Sequence, residues 1–151
     1  MIRNCGQFRF CAWLLVLLGV ACLNACGKSA GSDTSNASAT SPNGTSFSIA
    51  LARSSDGAAT TTISSASPGT VTVNIKLKDS SYPQNALVTF DTDLGTLNPA
   101  AGTALTNSSG DATMQLLSDG TTGAGTVTAT ASVGGEALSV SLNFSVTSSA
   151  V

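Results

Sequence analysis

The sequence contains no histidine, and none of its four cysteines lies beyond Cys26. Everything after Cys26 therefore lacks the usual zinc ligand sets, the imidazole of a serine or cysteine triad, and any disulfide. Charge is scarce too: charged residues make up 9% of the chain, against roughly 25% in an ordinary soluble protein. Six basic and eight acidic side chains leave a net charge of -2, so the basic surface that a nucleic-acid binder needs is missing. Aromatics account for only 5%. What fills the text is Gly, Ser, Thr and Ala, a composition suited to short strands and tight turns rather than amphipathic helices. The 151 residues suffice for about one core. No cofactor and no metal site is expected.

The N-terminus carries Arg3 and Arg9 ahead of an apolar run from Phe10 to Leu23, fourteen residues long. That is short of the ~20 residues a membrane-spanning helix requires. A basic start, a short apolar stretch and small residues behind it have the form of an export signal. The run ends in Leu23-Asn24-Ala25-Cys26, which resembles the lipobox of bacterial lipoproteins, although Asn24 stands where a small residue is preferred. The resemblance implies cleavage after Ala25, a diacylglyceryl group on the sulfur of Cys26, and a membrane anchor made of acyl chains alone. Gly19-Val20-Ala21-Cys22 is the rival site, but it would leave Cys26 as an unpaired thiol in an oxidising compartment. Gly27 occupies the position where enteric-type sorting would read Asp as an inner-membrane retention signal, so the outer membrane is the expected destination.

Residues 26–45 are expected to form the acylated cysteine and a flexible linker, because Gly27 to Thr45 offers no aliphatic side chain larger than alanine to bury. Beyond it the hydrophobic period becomes two. Val71, Val73, Ile75 and Leu77 alternate with Thr72, Asn74, Lys76 and Lys78, and Leu138, Val140, Leu142, Phe144 and Val146 alternate with polar residues; both are half-buried strands. Phe47 to Leu51, Val88 to Phe90, Ala112 to Leu116 and Val127 to Val133 repeat the pattern between turn-forming clusters, with weaker pieces near Thr61 to Ser65 and Ala104 to Thr106. About seven strands without helical periodicity predict an all-β, immunoglobulin-like sandwich spanning 46–151.

Three stretches make the pattern more specific: Val88-Thr89-Phe90 through Gly95-Thr96-Leu97, Thr106-Asn107-Ser108-Ser109-Gly110-Asp111-Ala112, and Gly125 to Ala131. In this order they resemble the group 1 bacterial Ig-like domain of intimin and invasin type adhesins, over about Ser46 to Val146. Gly95 and Gly110 would supply the positive φ of tight turns. The stretch Asp79 to Asn85 departs from the family's usual turn, and only one copy is present. The resemblance implies a sandwich and a cell-surface habit. It names no receptor.

Chemistry-bearing residues are few. Asp91 and Asp93 stand two apart at a strand end, about 6.6 Å in extended backbone, near the spacing of paired glycosidase carboxylates. An acid catalyst needs a buried carboxyl, whereas both of these are expected to face solvent at a loop, so no catalytic residue is assigned. With the first strand starting at the linker, the turn before Val71 and the loops after Phe90 and Leu117 should meet at the end distal to the membrane, beside the C-terminus. That would gather Asp91, Asp93 and Asp119 as candidate contacts for a weakly held cation or a partner, with no basic residue among those loops. The glycine-rich Gly120 to Gly125 is expected to be a hairpin turn, and Lys76 and Lys78 guards against sheet aggregation. The function expected is a non-enzymatic, lipid-anchored envelope module, a spacer or adhesion domain at the cell surface. The alternative is an accessory or ligand-binding lipoprotein on an envelope or secretion complex. Expected partners are the membrane, through the lipid, and an envelope protein, polysaccharide or host surface.

Overall fold

A computed structural model describes residues 35–149; the expected signal peptide, Cys26 and the last two residues lie outside them. Ten strands follow in order: β1 Asn36–Thr40, β2 Ser46–Arg53, β3 Thr62–Ile63, β4 Gly69–Lys76, β5 Leu87–Thr92, β6 Thr96–Asn98, β7 Thr103–Leu105, β8 Asp111–Leu117, β9 Gly123–Val133 and β10 Glu136–Val146. They form two five-stranded sheets, one ordered β1-β2-β4-β8-β6 and the other β3-β10-β9-β5-β7. The architecture is an all-β, immunoglobulin-like sandwich, with no helix among the described residues. All pairings are antiparallel except that of β3 with β10.

The period-two text maps directly onto this sandwich. Val71, Val73 and Ile75 of β4, Phe47, Ile49 and Leu51 of β2, and Leu138 through Val146 of β10 are buried on the inner faces, while their neighbours in sequence face outward. Each fully buried large aliphatic or aromatic side chain contributes roughly 1.5–3 kcal/mol relative to its exposed state. Phe47, Phe90 and Phe144 are the core's aromatic members; the rest is aliphatic, apart from Met114.

Several expectations are corrected. The first sheet begins at Asn36, not Ser46: β1 pairs with β2 from Asn36↔Ala50 to Thr40↔Ser46. Backbone pairing holds this strand, so side-chain hydrophobicity did not reveal it; of its five residues only Ala37 is part-buried. The weaker pieces expected near Thr61 to Ser65 and Ala104 to Thr106 are the short strands β3 and β7, and the unanticipated β1 and β6 bring the number from about seven to ten. The segment Ser118–Thr122 is no hairpin turn, because β8 pairs with β4 and β6 whereas β9 pairs with β10 and β5; it carries the chain between sheets. The two-residue hairpin loop is Gly134-Gly135, both at positive φ, closing β9 on β10. Lys76 ends β4, which lies between β2 and β8, so it guards no edge; Lys78 lies beyond the strand.

Gly110 shows why the second recognisable stretch needs its glycine. Its φ is 75° and an added Cβ would come within 2.4 Å of the Ile75 carbonyl oxygen and 2.9 Å of Tyr82 Cδ1. The Gly110 carbonyl in turn accepts from the Ile75 amide at 2.9 Å.

Candidate functional surfaces

The strand register brings Arg53, Gly69, Leu117 and Thr96 to one end of the first sheet. Thr92, Gly123 and Val146 stand at the matching end of the second. Asp91, Asp93 and Asp119 are exposed at this end, but it is not the expected far end: the added strand β1 begins at Asn36 opposite Ala50, so the described chain enters the sandwich on this same side. Two of them are engaged as acceptors for backbone amides. Asp93 Oδ1 accepts from the Thr126 amide at 2.6 Å, and Asp119 Oδ1 from the Thr121 amide at 2.9 Å. Asp91 projects from β5 in register with Thr128 and lines a cleft with Thr92, Thr96 and Gly102, in which Asp93 takes no part. The two aspartates therefore do not face a common cleft as a catalytic pair would. Among the described residues no group of three or more Asp, Glu, His or Cys side chains is placed to hold a metal. The end is not purely acidic either, since β2 finishes there in Arg53, which pairs with Asp56 at 3.4 Å. Both partners are about half exposed, so the pair contributes little stability.

At the opposite end the sequence reading missed the best-connected polar residue. Thr106, 2% exposed, donates from Oγ1 to the Pro83 carbonyl at 2.6 Å and accepts from the Ala86 amide at 2.9 Å. Its backbone bonds the Ala86 carbonyl and the Asn85 amide as well. Nothing in a chain rich in threonine marks this one out before the fold is known. Nearby, Asp79 accepts from both the amide and hydroxyl of Ser81, and these bonds hold its carboxyl below the usual carboxylate value. Asn43 Nδ2 donates to Glu136 Oε1, while Glu136 Oε2 is buried without a hydrogen-bond partner. Both residues line a cleft of about 670 Å³ with Leu77, Lys78, Asp79 and Val133.

The outer face of the second sheet is largely a field of hydroxyls. Thr128 and Ser141 share a hydrogen bond at 2.9 Å, and Thr126 donates to Asn143 at 3.1 Å. Leu87 and Leu105 interrupt it: directly paired across β5 and β7, they are 55% and 58% exposed. Leu87 precedes the buried Val88, and its outward position follows from that alternation.

No protein-family model matches the chain, and no curated protein sequence does. Among solved structures, the D0-D1 domain of intimin is similar at 21% identity and a TM-score of 0.46, covering 66% of this chain and 62% of that one. The D00-D0 domain of intimin is similar at 25% identity and a TM-score of 0.45, with 76% and 65% covered. Domains 1-6 of the surface layer protein SbsC give 14% identity and a TM-score of 0.43, over 83% of this chain and 21% of that one. The chain thus spans less than two thirds of the length of each of these structures.

Proposed function

We propose that the protein is a non-enzymatic, lipid-anchored module of the cell envelope whose sandwich serves as a spacer or adhesion domain. The observation that carries this reading is the export-type segment ending in Leu23-Asn24-Ala25-Cys26, placed a short distance ahead of a complete sandwich. Only residues 27–35 separate Cys26 from the first strand, a span of at most about 30 Å when extended. Acyl chains on Cys26 would hold the sandwich close to the bilayer, and Gly27 after the cysteine directs the reading toward the outer membrane. The exposed Leu87–Leu105 pair favours a second reading, an accessory lipoprotein that docks on an envelope partner, since apolar side chains paired on an open face fit protein contact better than a plain spacer.

Cys26→Ser tests the anchor, because acylation and the cut both require that sulfur. The variant should lose acyl label and leave the outer-membrane fraction, either as uncleaved precursor or as soluble protein. Unchanged fractionation together with unchanged labelling would overturn the proposal; labelling that moves with Cys22→Ser instead would reassign the anchor to the rival site.

A further inference from the structure

We propose that Asn43 is a site of spontaneous deamidation, and that the carboxylate left behind releases the β1–β2 turn from Glu136 and loosens β1. This is a modification the chain performs on itself, and it holds whether or not the chain is lipid-anchored. Asn43 and Gly44 stand in the exposed turn between β1 and β2, and no other asparagine of the chain is followed by glycine. The turn itself calls for that pair: Gly44 has a φ of 84°, which glycine adopts without the strain a side chain would bring. With no Cβ on the following residue, the Gly44 nitrogen has an unhindered approach to the Asn43 side-chain carbon.

The reaction balances with water alone. The Gly44 nitrogen gives its proton to hydroxide and attacks Asn43 Cγ, forming a new C–N bond; the bond from Cγ to Nδ2 breaks, and Nδ2 takes a proton from water and leaves as ammonia, which regenerates the hydroxide. Water then opens the cyclic imide at Cγ, giving aspartate, or at the backbone carbonyl, giving isoaspartate, in which the main chain runs through Cγ. Nothing is oxidised or reduced. In the closed turn the Gly44 amide donates to the Ser41 carbonyl at 2.9 Å, so the attack waits for the turn to open and runs slower than in a free peptide. Opening breaks that bond and the one from Asn43 Nδ2 to Glu136 Oε1. Among the described residues the latter is the one side-chain hydrogen bond between this turn and the second sheet.

The surroundings of Glu136 show why the product cannot stay where the amide was. Oε1 accepts from Asn43, while Oε2 is buried without a partner. Deamidation removes the one donor to this carboxylate among the described residues and sets a second carboxylate against it. Lys78 and Asp79 line the same cleft, so one cation that faced two carboxylates then faces three. Isoaspartate adds a backbone atom inside the turn and disturbs its register as well. The turn therefore moves off the β9–β10 hairpin. β1 follows, because the amides of Ala37 and Ala39, which by alternation from the Ser41–Thr45 pair point toward β2, continue the ladder that this turn closes. As β1 is the first strand of the described chain, its release lengthens the segment ahead of the sandwich.

The test ages the full-length protein in detergent at mildly alkaline pH, beside a capped Ser-Pro-Asn-Gly-Thr peptide. Mass mapping should show the exchange of NH2 for OH at Asn43 ahead of Asn85 and Asn107, which are also exposed in turns, and more slowly than in the peptide. Asp56-Gly57 and Asp119-Gly120 can only isomerise, without change of mass, and so do not disturb this reading. Asn43→Gln, which keeps the donor but closes the ring poorly, should stay intact. Asn43→Asp should reproduce the aged state at once: hydrogen exchange at Ala37 and Ala39 should rise by roughly three- to tenfold over the parent while the amides of β4 stay protected. An Asn43 no more reactive than Asn85 and Asn107, or an Asn43→Asp variant with the parent's exchange, would overturn the proposal. So would a peptide joining Lys78 to Asn43 with ammonia lost and no water gained, since the turn would then be tied down rather than released.

Discussion

Thr106 and Pro83 are joined by a 2.6 Å hydrogen bond from a buried hydroxyl to a carbonyl twenty-three residues earlier. That contact ties the long connection between β4 and β5 to the end of β7. Thr106→Val keeps the shape but removes both the donor to Pro83 and the acceptor for the Ala86 amide. Leaving such buried groups unsatisfied costs about 1–3 kcal/mol. Chemical denaturation should show that loss with an unchanged m-value, and Thr106→Ser should recover part of it. A Thr106→Val variant as stable as the parent would mean that water replaces the hydroxyl.

Val140 and Ser141 are adjacent on β10 but face opposite ways, one 6% exposed in the core and the other in solvent. Val140→Asp places an unpaired carboxylate among Phe144, Leu142 and their neighbours and should cost about 3 kcal/mol or more, enough to unfold a marginal domain. Ser141→Asp should shift stability by less than about 0.5 kcal/mol. Melting followed by circular dichroism separates the two, and equal shifts would mean that the inward face of β10 has been misassigned.

How much of the fold was legible follows from what each strand buries. β2, β4, β8 and β10 alternate large apolar with polar residues, and only one register puts Phe47, Val73, Met114 and Val140 inside. β1 was hidden because Asn-Ala-Ser-Ala-Thr buries almost nothing and is held by the exposed edge of β2. The path of Ser118–Thr122 was illegible for another reason: glycine, serine and aspartate serve a hairpin and an inter-sheet crossing equally well. The candidate site was half legible. The aspartates could be placed at one end from strand count alone, but their use as amide acceptors, and the arrival of Arg53 at that end, depend on register.

Gly110 and Gly57 have nearly the same backbone, at φ of 75° and 70°, in very different surroundings. Alanine at either position takes up left-handed strain of about 1 kcal/mol. At Gly57 nothing lies within 4 Å of the new Cβ, so that strain is the whole effect. At Gly110 the Cβ also meets the Ile75 carbonyl oxygen at 2.4 Å, and the turn must open, straining the bond that this loop makes to β4. Gly110→Ala should therefore destabilise clearly more than Gly57→Ala in parallel denaturant titrations. Equal losses would show that the Asn107 to Asp111 turn relaxes freely.

Asp79 supplies the pH test. Its folded carboxyl is held below the ordinary value of 3.8, first by the Ser81 hydroxyl and then by the Ser81 amide. A lowered folded pKa means the unfolded chain binds the proton more readily, so the contribution is fully present above the unfolded value and is lost as pH falls through the folded one. The loss therefore falls in the acid range from the ordinary value downward, and neutral stability should be flat with respect to this group. Because the residue is exposed, the effect is small and screened by salt. It is best seen as a difference: Asp79→Asn should flatten the acid limb of the stability curve relative to the parent, and Ser81→Ala should do so nearly as well while leaving the charge in place. An acid limb unchanged in Ser81→Ala but flattened in Asp79→Asn would assign the dependence to the charge itself, and the turn at Asp79 to Ser81 would have no part in it.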